Sequence, residues 1–166
     1  MLKNILCAVG LALLTAFSAA QAAQLDAEAV KKLKADAEAG NAAAQAALGE
    51  CYASFRLCEG VPRDDAKARE WFEKAASRGD AEALYNLGVM HAKGRSVRQD
   101  YAAARALWEK AAAQGHARAQ ANLGVMHKNG HGVKKDNAAA REWFGKACDN
   151  GFQPACDQWR RLGGTR

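Results

Sequence analysis

Histidine and cysteine side chains are the residues of this chain best suited to chemistry, and the spacing of the histidines raises the question of a metal site. His91 and His127 lie 36 residues apart, and His131 follows four residues later. Imidazole nitrogens bind zinc and other transition metals, so histidines brought together by the fold could form such a site. The alternative, which the sequence favours, is that His91 and His127 are half-buried and pack between helices. We therefore predict no metal and no cofactor.

Motifs for nucleophilic or hydrolytic catalysis are absent from the sequence. It contains no Ser-x-x-Lys, no Gly-x-Ser-x-Gly and no His-Glu-x-x-His motif. Gly130-His131-Gly132 resembles a phosphate-binding loop, but the strand that should precede such a loop is missing. A turn between two helices explains its glycines better. The sequence thus predicts no catalytic residues.

The two histidines are 36 residues apart because the whole segment around them is repeated. Leu87-Gly88-Val89-Met90-His91 is reproduced by Leu123-Gly124-Val125-Met126-His127. Glycine, aspartate and alanine positions further along both units obey the same offset, and an earlier unit starts at Leu48-Gly49 with three additional residues in its turn. A fixed period of this length is typical of stacked helical repeats, none of which can bury its apolar face alone.

Each unit is predicted to contain two helices joined by a turn. In the last unit the apolar spacing predicts helices at about 117–129 and 136–150. An aspartate precedes each second helix, where its carboxylate can accept hydrogen bonds from free backbone N–H groups. A glycine follows each second helix, where the chain turns through positive φ. These residues are Asp64, Asp100 and Asp136, and Gly79, Gly115 and Gly151.

Together these features resemble the Sel-1-like repeat (SLR) family, a relative of the tetratricopeptide repeats. The resemblance rests on the Ala-x-x-x-Leu-Gly start of each unit, the Gly-x-Gly-Val-x-x-Asp turn at 130–136 and the Ala-x-x-Trp-Phe-x-Lys-Ala-Ala-x-x-Gly close at 68–79. It implies an all-α fold, a right-handed α-solenoid of stacked helix-turn-helix SLR units with terminal capping helices. The sequence departs from the family where His91 and His127 replace a tyrosine and Ser96 replaces the second turn glycine.

The N-terminus is predicted to be an export signal. Lys3 precedes an apolar run, and Ala20-Gln21-Ala22 fits the small-x-small rule for cleavage after Ala22. We expect residues 1–22 to be removed and the mature protein to be periplasmic or secreted. The predicted organisation of the remainder is a capping helix at 23–40, an SLR solenoid at 41–162 with units at about 44–79, 83–115 and 119–151 followed by a C-terminal capping helix, and a tail at 163–166.

Four cysteines remain after the signal is removed, and an even number in an exported chain favours disulfides. Sequence proximity favours the pairs Cys51–Cys58 and Cys148–Cys156 among three pairings. On one continuous helix Cys51 and Cys58 would lie about 10 Å apart, so their pairing requires the helix to end near Ser54. A zinc site of all four cysteines is the alternative, disfavoured because the pairs belong to opposite ends of an elongated array. The Cys-x7-Cys spacing of Cys148 and Cys156 also resembles that of cysteine-rich secreted SLR proteins.

The net positive charge is concentrated in the last third of the chain. His116–Arg166 contains nine Lys or Arg and four Asp or Glu residues, whereas 23–115 is balanced. Such a surface can serve solubility alone, or it can contact an acidic partner or an anionic surface. We expect no nucleic acid partner for an exported protein. The sequence has no second apolar run that would predict a transmembrane segment.

The resemblance implies that the first helices of the units line a concave groove that binds another protein, from the envelope or the extracellular space. Amides can hydrogen-bond a peptide backbone, tyrosine and valine offer apolar contacts, and basic side chains can meet a carboxylate. The predicted partner-binding residues are Tyr85, Asn86, Val89, Lys93, Arg118, Asn122, Val125 and Lys128.

The predicted function is therefore that of a binding module, not an enzyme. The alternative is a β-lactam-binding or weak β-lactamase-type enzyme, as the resemblance to the cysteine-rich SLR branch suggests. The missing Ser-x-x-Lys motif argues against that alternative.

Overall fold

The structure is a computed structural model that describes residues 25–54 and 57–165. The predicted export signal at 1–22 lies outside the described residues. Within them the chain forms eight α-helices and one isolated backbone bridge between Leu25 and Cys58. The helices are α1 (Ala27–Glu38), α2 (Ala42–Ala53), α3 (Asp65–Ser77), α4 (Ala81–Lys93), α5 (Tyr101–Ala113), α6 (Ala117–Asn129), α7 (Asn137–Asp149) and α8 (Gln153–Arg161).

The helices stack in chain order, which confirms the predicted all-α solenoid. Packing is most extensive within the units, between α2 and α3, α4 and α5, and α6 and α7. Neighbouring units then join through α3 with α4 and α5 with α6, while α1 and α8 pack on the two ends. A stack of this kind places equivalent side chains of successive first helices side by side.

The predicted helix caps are present. The carboxylate of Asp100 accepts a hydrogen bond from the backbone N–H of Ala103, and the other two aspartates make the equivalent bonds at α3 and α7. Gly79, Gly115 and Gly151 have φ values of 84°, 81° and 86°, so each turns the chain through the left-handed region after a second helix. These residues fix where the second helix of each hairpin begins and ends.

The core of each unit is built from the leucine of the first helix and an aromatic residue of the second. Leu48 and Leu123 are 1% exposed, and Phe72 and Phe144 are 1% and 2% exposed. In the middle unit Trp108 takes the place of the phenylalanine and is 5% exposed. The preceding residue, a tryptophan in the first and third units, is only half-buried. In each unit the second residue of this pair therefore lies in the core, and the first lies at its edge.

Two disulfides staple the ends of the stack, with the pairing favoured by the sequence. Helix α2 ends at Ala53 with Ser54 as its C-cap, and the chain returns so that the Cα atoms of Cys51 and Cys58 lie 5.3 Å apart. At the other end Cys148 and Cys156 join α7 to α8 with a Cα separation of 4.7 Å. Each bridge closes a short local loop, as the pairing by sequence proximity required.

The terminal helices cover the open ends of the array. On α1, Val30 and Ala37 are buried against the first unit, and on α8 Ala155 is buried while Trp159 packs beside the core of the last unit. Among the described residues no helix has the length and apolar character needed to cross a membrane.

Candidate functional site

The first helices α2, α4 and α6 and the terminal helix α8 share one surface, which we call the groove face. Its repeating polar residues are Glu50, Asn86, Asn122 and Gln158, which lie at intervals of 36 residues. All four carry a carboxylate or a carboxamide and all four are half-buried. They form a row across the stack, with a polar network at one end and an apolar cleft at the other.

The polar network is centred on the carboxylate of Glu82 in α4. A guanidinium nitrogen of Arg118 lies 2.6 Å from each of its two oxygens, and Nε2 of His116 lies 3.1 Å from Oε2. His116 is also the N-cap of α6, where its Nδ1 accepts a hydrogen bond from the backbone N–H of Ala119. Because Nδ1 is the acceptor, Nε2 carries the proton and donates to Glu82. One imidazole therefore caps α6 and ties it to α4.

Tyr85 adds an aromatic layer to this network. Its ring stacks on the imidazole of His116 with a centroid distance of 4.8 Å. The guanidinium of Arg118 lies 4.7 Å from the centre of the same ring, in the geometry of a cation–π contact. The Tyr85 side chain is thus held in place between units and is half-buried.

Asn86 links the network to α2. Its Nδ2 donates to Oε1 of Glu82 at 3.2 Å and to Oε1 of Glu50 at 3.4 Å. Burial raises the pKa of Glu50, and the nearby charge of Glu82 adds to the increase. The hydrogen bond from His116 lowers the pKa of Glu82, and the positive charge of Arg118 lowers it further. The two carboxylates therefore differ in acidity although they share one asparagine.

The apolar part of the groove face is a cleft of about 370 Å³ between α6 and α8, which we call the groove cleft. Val125 borders it with 41% of its surface exposed, which is high for a large apolar side chain in this protein. At its edge Nζ of Lys128 donates to Oε1 of Gln158 at 2.8 Å. The residues that line it are Ala121, Asn122, Val125, Lys128, Asn129, Phe144, Phe152, Pro154, Ala155 and Gln158.

The residues predicted to bind a partner fall into three groups in the structure. Tyr85, Asn86 and Arg118 belong to the polar network, whereas Asn122, Val125 and Lys128 border the groove cleft. Val89 is half-buried against the core formed by α5 and α6, and Lys93 is exposed at the end of α4. Neither of these two residues lines the cleft or joins the network.

Sequence reasoning missed three members of the network, Glu50, Glu82 and His116. Each carried a positional signal. Glu50 lies one repeat length before Asn86, Glu82 lies one helical turn before it, and His116 occupies the N-cap position that Asp80 holds in the preceding unit. In the sequence these residues contribute only to the count of charges, whereas stacking of the units brings their side chains together around Glu82 and Asn86.

The histidines considered as metal ligands lie elsewhere. His91 and His127 are half-buried, and the Nδ1 atom of each is buried without a hydrogen-bond partner among the described residues. His131 stacks on the ring of Tyr101 with a centroid distance of 5.1 Å. The described part of the chain contains no group of three or more potential metal ligands.

Comparison with known proteins finds chains of related sequence and fold. The Sel1 repeat family profile matches residues 42–80, 81–116 and 117–152. A Sel1 repeat protein from Oxalobacter formigenes is 33% identical, with a TM-score of 0.64 over 70% of this chain and 45% of its own. A protective antigen of uropathogenic Escherichia coli with an SLR fold is 40% identical, with a TM-score of 0.69 over 75% of this chain and 26% of its own.

A third solved structure, cysteine-rich protein B of Helicobacter pylori, is 22% identical. Its TM-score is 0.61 over 78% of this chain and 91% of its own, so it shares the fold. This chain spans less than half the length of the first two structures. No curated protein matches it by sequence.

Proposed function

Because this chain belongs to the Sel1 repeat family, we propose that it is an exported scaffold that binds a segment of another protein along the groove face. The two disulfides support this compartment, because disulfides persist in an oxidising environment such as the periplasm or the extracellular space. The predicted export signal at 1–22 supports the same compartment. The partner is therefore a protein of the envelope or of the extracellular space.

The observation that carries the binding proposal is the groove cleft beside Val125. Its floor is apolar, with Phe144 and Ala155 buried beneath it, while Asn122 supplies a carboxamide at its side. An apolar side chain of a partner can fill this cleft while the Asn122 amide hydrogen-bonds the partner's backbone. Such a complex also buries the exposed surface of Val125, and removing this apolar surface from water favours binding.

The charge around the groove face favours an acidic segment on either side of that apolar anchor. Lys128 borders the cleft, and Arg118 keeps 48% of its side chain exposed although it pairs with Glu82. The net positive charge of His116–Arg166 extends beyond these two residues. Electrostatic attraction of this kind mainly accelerates association, whereas the apolar anchor sets the rate of dissociation.

Site-specific photo-crosslinking tests the proposal. A photoreactive amino acid is placed at Val125, at the cleft, or at Glu109, whose side chain is 53% exposed on the second helix α5. Both proteins are exported and irradiated in cells, and the products are separated by mass. The Val125 position is expected to give a discrete adduct that the Glu109 position does not give. Adducts of equal yield at both positions, or an adduct only at Glu109, would place the interface outside the groove face.

The enzymatic alternative is not part of this proposal. The sequence lacks the Ser-x-x-Lys motif of serine β-lactamases, and no group of three or more potential metal ligands lies among the described residues. Purified protein is expected to hydrolyse nitrocefin no faster than a mock preparation from cells that lack this protein, and faster hydrolysis would favour the enzymatic alternative.

A further inference from the structure

Two places on the side of the second helices share most of their residues. They differ at three positions, where Glu38, Ser77 and Arg78 of the first correspond to Ala113, Asp149 and Asn150 of the second. The first lies between α1 and α3 around Gln45, and we call it the Gln45 cleft. The second lies between α5 and α7 around Gln120, and we call it the Gln120 site. Their equivalent residues are Ala37 and Ala112, Gly40 and Gly115, Gln45 and Gln120, Trp71 and Trp143, Lys74 and Lys146, and Arg78 and Asn150.

The shared residues make the same contacts in both places. Nε2 of Gln45 donates to the carbonyl oxygen of Ala37 at 3.0 Å, and Nε2 of Gln120 donates to that of Ala112 at 3.1 Å. Both glutamines are buried, with 5% and 4% of their surface exposed. In each place a lysine ammonium lies over the neighbouring tryptophan ring, at 4.0 Å for Lys74 and 4.4 Å for Lys146. The two sites are therefore matched at the glutamine, the tryptophan and the lysine.

The difference lies in what meets the glutamine oxygen. At the Gln120 site Nδ2 of Asn150 donates to Oε1 of Gln120 at 2.8 Å. At the Gln45 cleft Arg78 stands in place of the asparagine, and its guanidinium lies over Gly40. Oε1 of Gln45 is buried and has no hydrogen-bond partner among the described residues. The Gln45 side chain lines an open cleft of about 370 Å³ together with Trp71, Lys74 and Arg78. The exposed Arg78 side chain must turn outward for an occupant to reach Oε1.

A buried acceptor without a donor is unfavourable, so an occupant that supplies an N–H group at this point is stabilised. The Gln120 site shows the chemistry of that donor, because the protein's own Asn150 carboxamide provides it. The residue that replaces the asparagine is a cation, and Lys74 adds a second cation to the same cleft. The exposed carboxylate of Glu38 lies at the rim and leaves an excess of positive charge.

We propose that the Gln45 cleft binds an N-acylated α-amino acid, either as the C-terminal residue of a peptide or as a free small molecule. The amide N–H of this residue donates to Oε1 of Gln45, in the place that Nδ2 of Asn150 occupies at the Gln120 site. The α-carboxylate pairs with the guanidinium of Arg78, for which a planar carboxylate is the best-fitting anion. The side chain of the residue lies against Trp71. This site is separate from the groove face and does not depend on the function proposed for it.

The test uses N-acetyl-L-leucine as the probe and follows the Trp71 indole N–H and the Gln45 carboxamide by NMR of the isotope-labelled protein. In the wild type both signals are expected to shift with probe concentration and to saturate. N-acetyl-L-leucinamide, which lacks the carboxylate, is expected to bind at least about ten-fold more weakly, since one charge-assisted pair is lost. No saturable shift with either probe, or equal shifts with both, would overturn the proposal.

Reciprocal substitutions use the Gln120 site as a matched control. Arg78→Asn recreates the Asn150–Gln120 contact in the Gln45 cleft, so it is expected to abolish binding and to leave the melting temperature equal or higher. Asn150→Arg combined with Asp149→Ser gives the Gln120 site the arginine and the serine of the Gln45 cleft, and it is expected to create binding that shifts the Trp143 indole signal. If Arg78→Asn binds as the wild type does, the cleft is not the site. A tetrapeptide that binds about as tightly as the acetylated residue identifies a peptide C-terminus, and one that does not bind identifies the small molecule.

Discussion

Gly88 lies directly against the indole ring of Trp108, and a Cβ atom at Gly88 would overlap Nε1 of that ring. The ring cannot swing away freely, because Nε1 donates a hydrogen bond to the carbonyl oxygen of Tyr85 at 3.0 Å. The other two units repeat the arrangement with phenylalanine, where a Cβ at Gly49 would lie 2.6 Å from the ring of Phe72. The Leu-Gly pair of each unit thus places a buried leucine beside a gap that an aromatic ring fills.

The first prediction follows from this contact. Gly88→Ala gains about 1 kcal/mol of helix propensity, because alanine loses less backbone entropy than glycine. The overlap with Trp108 opposes this gain, because overpacking a close-packed core typically costs about 1–3 kcal/mol. Because the overlap with the ring is severe, we expect the upper end of this cost, and so a net loss of about 2 kcal/mol in urea denaturation, together with a changed tryptophan fluorescence. A variant as stable as the wild type, or more stable, would show that the ring is not fixed.

The same contact shows what a sequence of this kind reveals and what it conceals. The 36-residue spacing identified the helices, the Asp caps and the turn glycines, because these depend on residues close together in the chain. It did not identify the Gly88–Trp108 contact or the pairing of Glu82 with Arg118, because both depend on how separate helices stack. Side chains such as Asn86 were correctly placed on a first helix, but their hydrogen bonds across units required the structure.

The second prediction concerns the leucine of the repeat. Leu87 is 6% exposed and packs in the core of the first two units. Leu87→Ala is expected to lower the free energy of unfolding by about 2–5 kcal/mol, since it removes buried methyl groups and leaves a cavity. Glu109→Ala is the control, because Glu109 is exposed and makes only an i,i+4 ion pair with Arg105; we expect a change of less than about 0.5 kcal/mol. Equal losses in the two variants would mean that the assignment of buried faces is wrong.

The third prediction concerns the turn of the middle unit. Among the described residues Ser96 is the one non-glycine residue with a left-handed backbone, at a φ of 57°. Its counterpart in the last unit is Gly132, which has a φ of 66°. Ser96→Gly is expected to raise the free energy of unfolding by about 0.5–1 kcal/mol, since glycine adopts this conformation without steric cost. The reverse change, Gly132→Ser, is expected to destabilise, because its Cβ would lie 2.6 Å from Cβ of Tyr101. Thermal unfolding of both variants checks the pair, and a destabilising Ser96→Gly would contradict it.

The fourth prediction concerns an ion pair between units. The guanidinium of Arg95 donates to both oxygens of Asp65, at 2.6 and 3.1 Å, and Arg63 donates to the same carboxylate. These bonds hold the pKa of Asp65 well below its ordinary value, with the contribution of Arg95 the largest. A lowered pKa stabilises the fold above the pKa of the unfolded state, about 4, and this stabilisation is lost as the pH falls towards the folded-state pKa.

Asp65→Asn is therefore expected to cost about 1 kcal/mol at pH 7, the upper range for a partly exposed pair. The difference from the wild type is expected to shrink as the pH is lowered from 4 towards 2, in urea denaturation at each pH. Arg95→Gln is the matched variant; it leaves the Arg63–Asp65 pair in place, so it should show a smaller loss at pH 7. A difference between wild type and Asp65→Asn that grows with acidification would contradict the assigned sign.

The final prediction concerns the partner protein that is identified by crosslinking at Val125. The affinity of this partner for the chain is the most direct measure of binding along the groove face. Val125→Asp places a charge at the groove cleft, at a position exposed enough to leave the melting temperature nearly unchanged. We expect it to weaken binding at least about ten-fold, mainly through faster dissociation. Lys134→Glu with Lys135→Glu, on the exposed turn before α7, should chiefly slow association and reduce its salt dependence. If the turn variant abolishes binding and Val125→Asp binds as tightly as the wild type, the interface is the basic turn and not the groove face.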